Sequence, residues 1–300
     1  MYNLCCISNQ LREQGHKFQT MTYKRFASLP RDEAIATVSA RSLNNVRVTY
    51  QTMRHCYRNG WGYRVSSNLF PLLTHKPANL RLTDYPDWYE IQSALCDIQS
   101  LVDPQRVRIS CHPDQFNVLA SPDESKVAKT ITELNHQGQV MTWMGARHGY
   151  WNPINIHVNC TTGDPADIAA RFMHNLSRCS HDVTSRLVVE NEDKGIWTPK
   201  LLAQHFDIPI TYDNLHHKCL PDGLTQSQAY DLCYRTWHVG ENDLRQITPV
   251  FHYSESHPDK SNPRSHADMP SGKPLLFDSM PADYDIELKE KDFAIQAIGA

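Results

Sequence analysis

Eight short apolar runs, each closing on a polar residue and each separated from the next by a longer stretch of helical character, leave this chain few folds to choose from. The runs fall at residues 2–8, 62–68, 107–112, 154–159, 187–191, 208–214, 249–254 and 284–289. They are dominated by β-branched and aromatic residues, as strands are. Between them, residues 31–59 form a helical pattern stopped by Gly60, a C-cap candidate. Ser121 before Pro122 reads as the cap of a helix reaching about Ala146, and Thr198 and Thr225 open further helices. Eight strands alternating with helices predict a closed α/β (β/α)8 barrel in one domain spanning residues 1–300. An open doubly wound sheet would normally carry a glycine-rich phosphate loop, and with 12 glycines the chain has no GxGxxG. Residues 257–281, rich in Pro, Ser, Asp and Lys, read as a long functional loop, because a strand follows them.

Charged residues make up 21% and hydrophobic ones 40%, which excludes a disordered chain. No apolar run nears the roughly 18–20 residues that span a bilayer, and the N-terminus lacks a basic segment ahead of its apolar stretch. A cytoplasmic protein without membrane contact is expected, read as a monomer. The nine cysteines are scattered and lack a CxxC pair, so buried free thiols are expected. A net charge of -3 gives no global argument for nucleic acid, so any such binding has to come from a local site.

The strand ends carry that site. They present His112, His157, Glu190, Asp213 with His216, His252 and Glu287, with His75 after the second strand and His266 after the seventh. One histidine near a strand end is ordinarily a structural residue. Six consecutive strands each ending in an imidazole or a carboxylate are different, because in a barrel these ends converge on one mouth. Such a cluster needs cations to offset it. The imidazole and carboxylate donors suit borderline-to-hard divalent ions. So many ligands exceed one ion, and two or three ions about 3.5–5 Å apart would suit phosphoryl hydrolysis, one generating hydroxide and the others stabilising the phosphate. A sugar-isomerase-like barrel with two metals is an alternative reading of the same donors.

The motifs HPDQF at 112–116, SPDESKV, NIHVN, VVENED, ITYDNLHH, FHYSES followed by SHAD, and IELK occur in this order and resemble those of the UV damage endonucleases. Those enzymes are relatives of endonuclease IV among the divalent-metal TIM barrels. The resemblance runs from about residue 2 to residue 291. It implies a DNA-repair endonuclease that nicks damaged double-stranded DNA immediately 5′ of a UV photoproduct, by attack of metal hydroxide on the phosphodiester. It implies two to three ions, Mn2+ foremost, with Zn2+, Mg2+ or Co2+ as alternatives. By position His75, His112, His157, Glu190, Asp213, His216, His252, His266 and Glu287 match the ligands. Glu190 would bridge, and Glu190, His252 and Glu287 would form the catalytic core. Gln115, with Phe116 beside it, matches a residue that probes the duplex, while Lys194, Lys260, Arg264 and Lys289 are candidates for phosphate contact. The chain departs from the family at Cys5 and Cys6, where an aromatic stands, and at Val250, where some members carry a lysine. An abasic-site endonuclease and a damage-binding protein without turnover are the other functions compatible with these residues.

Overall fold

A computed structural model of the chain describes residues 1–103, 106–238 and 247–299. All eight expected strands are present: β1 (Tyr2–Cys5), β2 (Gly62–Val65), β3 (Ile109–Cys111), β4 (Ile154–Ile156), β5 (Leu187–Glu190), β6 (Ile210–Thr211), β7 (Val250–Tyr253) and β8 (Asp283–Ile286). They form one sheet in the order β6-β5-β4-β3-β2-β1-β8-β7, every pairing parallel. An isolated parallel bridge between Asp213 and His252 joins β6 to β7, with the His252 amide donating to the Tyr212 carbonyl at 2.9 Å. The sheet is therefore a (β/α)8 TIM barrel. No helix among the described residues is long and apolar enough to cross a membrane.

The strands are shorter than the apolar runs suggest, because the backbone leaves the ladder where the site begins. His112, His157 and Glu287 each stand one residue past the end of their strand. Successive strand residues point to opposite faces. Outward-facing Tyr63, Ile109, Cys111, Ile154, Ile156, Leu187, Val189, Phe251 and Ile286 are buried under the helices. Cys111 lies against Gln137 of the helix Glu124–Trp143, facing away from its neighbour His112. The inward face is polar: the Asn3 amide donates to Asp285 Oδ1 at 2.8 Å, and Ser110 Oγ to Asp285 Oδ2 at 3.2 Å. Gly62 makes room for this, since a Cβ there would fall 2.0 Å from Asn3 Oδ1.

The helix Arg31–Asn59 ends at Gly60 with φ 68°, the left-handed cap expected. Thr198 and Thr225 cap their helices, the latter in a reciprocal capping box with Gln228. The Ser121 expectation is corrected. The cap is Asp123, whose carboxylate accepts from the Ser125 amide at 2.9 Å, while the Ser121 hydroxyl accepts from the Asp123 amide in a turn just before it. Cys5, Cys56, Cys111, Cys160, Cys179 and Cys233 are buried free thiols, but Cys6 and Cys219 are half-buried and Cys96 is exposed.

Candidate metal centre

Glu190 sits at the centre of the barrel mouth, fully buried at the end of β5. Its Oε2 lies 3.1 Å from His112 Nε2 and 3.7 Å from His157 Nε2, and it also accepts from the Asn155 amide. Its Oε1 lies 3.0 Å from His216 Nδ1 and 3.2 Å from His252 Nδ1. One carboxylate thus faces four imidazoles supplied by four further strand ends.

The DxxHH spacing is explained by a cap. Asp213 precedes the short helix Asn214–Cys219, and its Oδ1 accepts from the His216 amide at 2.7 Å. That bond aims the other oxygen, Oδ2, at His252 Nδ1 4.0 Å away and sets His216 on the same side. His217 turns away to Tyr212 and Asp222. At β8, Glu287 Oε1 lies 3.5 Å from His252 Nδ1. The opposite ring nitrogen, His252 Nε2, faces Asp285 Oδ2 at 3.6 Å, which leaves Nδ1 directed into the cluster.

Three groupings bring ligand atoms within 4.8 Å of one another: His112, Glu190 and His252; His157, Glu190 and His216; and Asp213, His252 and Glu287. Glu190 Oε1, Asp213 Oδ2 and His252 Nδ1 are buried and make no hydrogen bond. Unpaired buried polar atoms are costly, and here the unpaired His252 Nδ1 lies 3.2 Å from Glu190 Oε1 and 4.0 Å from Asp213 Oδ2, an arrangement that fits a cation. Thiolates take no part in these groupings, which suits hard or borderline divalent ions.

The electrostatics show the same strain. Burial pulls His252 down, but Glu190 and Glu287 outweigh it and push its pKa up to about 9. Burial, partly offset by Glu190, takes His157 down to about 4. Burial alone would raise Glu287, but Arg64 and then His252 hold it well below the usual carboxylate range. A raised histidine contributes stability that is fully present below its unfolded pKa of roughly 6.5 and lost as pH rises through its folded value. The chelator-treated protein is therefore expected to lose thermal stability between about pH 7 and 9.5, whereas the Mn2+-loaded protein should not, because a bound cation replaces the proton on His252. Melting temperatures of both forms across this range check the assignment, and an equal fall in both would remove His252 as its source.

Other expected residues are placed as follows. His266 is half-buried, its Nδ1 2.8 Å from the Glu287 carbonyl oxygen. It lines a cavity of about 210 Å3 with Gln115, His157, Asn159, Glu192, Lys194 and His216. Phe116, at the rim beside Gln115, is 80% exposed. Arg264 pairs with Asp193 at 3.4 Å, and Lys289 with Asp268 at 3.4 Å, close to Lys260. His75 is not brought into the cluster. It is exposed at the start of the turn Lys76–Ala78 and packs on the Tyr23 ring, centroids 4.8 Å apart. Cys5 is buried and Cys6 is half-buried at φ 66°, so neither offers an exposed apolar surface. Val250, 2% exposed, shares the inward face of β7 with His252. Sequence reasoning missed Arg64, Asn155 and Asp285, which hold Glu287, Glu190 and His252. For Asn155 and Asp285 the signal is the alternation in INIH and YDIE, where the residue two before the ligand is also polar.

Comparison with known proteins adds a family to this geometry. Residues 2–299 match the family described as UV-endonuclease UvdE. The UV DNA damage endonuclease of Bacillus velezensis is 30% identical over 292 residues, covering 92% of this chain and 86% of that protein. The enzyme of the same name from Bacillus pumilus is 27% identical with the same coverage. The crystal structure of SacUVDE superposes with a TM-score of 0.78 at 26% identity, over 100% of this chain and 97% of that one. Endonuclease IV from Thermus thermophilus, at 14% identity and a TM-score of 0.55, covers 83% of this chain and 92% of its own, and shares the fold.

Proposed function

The chain belongs to the UV-endonuclease UvdE family, and from that premise we propose that it is a metal-dependent DNA-repair endonuclease that nicks duplex DNA on the 5′ side of UV photoproducts. The observation that carries the reading is that Glu190 Oε1 and Asp213 Oδ2, both buried and without hydrogen bonds, lie 3.2 and 4.0 Å from the equally unpaired His252 Nδ1 at the mouth of the barrel. His112, His157, Glu190, Asp213, His216, His252 and Glu287 would hold two to three divalent ions, Mn2+ foremost, with His266 next to Glu287 as a further donor. When bound, these ions supply a Lewis acid for the scissile phosphate and activate water for in-line attack.

The protein's own part is to fix the donors. Glu190 presents one oxygen to His112 and His157 and the other to His216 and His252. Asp285 selects Nδ1 of His252 as the inward atom, and Arg64 holds Glu287. Lys194 lines the cavity and could meet a phosphate, as could Lys260 and Lys289 on the exposed rim. Arg264 is occupied by Asp193 and would have to exchange that partner. Phe116 and Gln115 stand where a duplex would lie, an apolar ring and an amide suited to entering a poorly stacked base step.

The test uses end-labelled duplexes carrying one photoproduct, one abasic site or neither, with Mn2+, Zn2+, Mg2+ or Co2+. Cleavage 5′ of the photoproduct alone is expected, abolished by a chelator. Cleavage of the abasic duplex in preference would move the substrate, and no cleavage with any ion would remove the activity.

A further inference from the structure

The loop that carries Gln115 and Phe116 is held from outside by a neighbouring strand end, through a residue in an unusual backbone conformation. Asn159, three residues beyond β4, adopts φ 51°. Residues other than glycine seldom adopt this left-handed region, and asparagine tolerates it best. Its backbone amide donates to Glu192 Oε1 at 2.7 Å, and its side-chain Nδ2 donates to the Gln115 carbonyl at 2.9 Å. Glu192 is fixed in turn: it is 5% exposed, and its amide donates to the Trp197 carbonyl at 2.9 Å. Asn159, Glu192 and Gln115 all line the cavity beside His157 and His216.

The probing loop itself is braced internally. The Phe116 amide donates to Asp114 Oδ1 at 3.0 Å, and the Asn117 amide to the Asp114 carbonyl at 3.0 Å. Its C-terminal side is tied where the Val118 amide donates to Thr130 Oγ1 at 3.1 Å. These bonds shape the turn but do not tie Gln115 to the cavity wall. The Asn159 side chain does.

We propose that Asn159, locked by Glu192, is a positioning residue that sets the Gln115–Phe116 loop against the cavity and thereby determines discrimination between damaged and intact duplex. The inference rests on the reading of that loop as the surface meeting DNA. The energetic logic is preorganisation: a loop already held in its binding geometry loses less freedom when the lesion arrives. Intact DNA, which resists extrusion of its bases, gains less from the same fixed loop, so the loss on freeing it falls mainly on the damaged substrate.

Asn159→Gly removes the side-chain bond while accommodating the left-handed backbone, so folding is not the obstacle. Asn159→Asp keeps the conformation but sets a carboxylate against the Gln115 carbonyl in place of a donor. For both variants hydrogen exchange of amides 114–118 in the free protein should quicken. The ratio of kcat/KM on photoproduct duplex to that on intact duplex should fall about tenfold, carried by KM, with metal content per chain unchanged. Unaltered exchange would overturn the positioning role, and faster exchange with a wild-type ratio would overturn the role in specificity. Absence of cleavage by the wild-type protein would instead refute the proposed activity, while the exchange measurement would still decide the positioning.

Discussion

Glu190→Gln is expected to lower kcat/KM on a photoproduct duplex by on the order of 10^3-fold or more, and to strip metal from the protein. The substitution preserves volume, so it tests charge and donor chemistry. In the native side chain the two oxygens face imidazoles on both sides, Oε2 towards His112 and His157 and Oε1 towards His216 and His252. A carboxamide offers one acceptor oxygen, and its amino group must then face either a ring nitrogen or the Asn155 amide, which is itself a donor. Two of the three ligand groupings contain Glu190, so both weaken together. A ligand at 1,000 times its Kd stabilises a protein by about 4 kcal/mol. The wild-type protein should therefore melt several degrees higher on addition of Mn2+, and the variant should show little of that rise. Metal analysis, melting curves with and without EDTA, and single-turnover nicking check the outcome. Full metal content with full activity would sink the assignment of Glu190 as the shared carboxylate. A variant that melts with the chelator-treated wild type shows that the fold survived.

The central part of this arrangement is readable from the chain alone. Six of the eight apolar runs end in a donor, and parallel strands joined by helices leave only one end of the barrel where those donors can meet. The DxxHH spacing is readable too, although its cause is the Asp213 cap, which turns His216 inward and His217 outward. What stays hidden depends on register. Arg64 on β2 and Glu287 after β8 are 223 residues apart, and nothing local to either announces the pair. Asp285 and Asn155 look like ordinary strand polarity until the inward face is known. His75 is the opposite case. It too follows an apolar strand, but nine residues separate it from Val65, and the Tyr23 ring takes the imidazole instead. The loop after β7 also conceals a pairing: Ser256 bridges His266, and the His257 amide donates to the Ser265 carbonyl at 2.6 Å. That short hairpin carries Lys260 and Arg264 and brings His266 back to Glu287.

Arg64→Met should destabilise the chelator-treated protein by about 3–5 kcal/mol, and the Mn2+-loaded protein by much less. The Arg64 side chain is only 11% exposed; it bonds Glu287 and lies 3.9 Å from Asp285. Removing one partner of a buried pair leaves the other charge without compensation, and here two carboxylates lose the same cation. His252 offers partial relief, since it faces both Glu287 and Asp285, but it already serves Glu190. Divalent ions at the mouth would neutralise Glu287 whether or not Arg64 is present, so loading should recover most of the loss. Arg64→Lys should fall between, because an ammonium keeps the charge but not the planar fork. Urea unfolding of all three proteins with EDTA and with Mn2+ gives the comparison. An equal loss in both conditions would mean that Arg64 acts through packing alone. A loss confined to the chelated state would mean that the barrel carries a built-in cation, holding the carboxylates in place before any metal arrives.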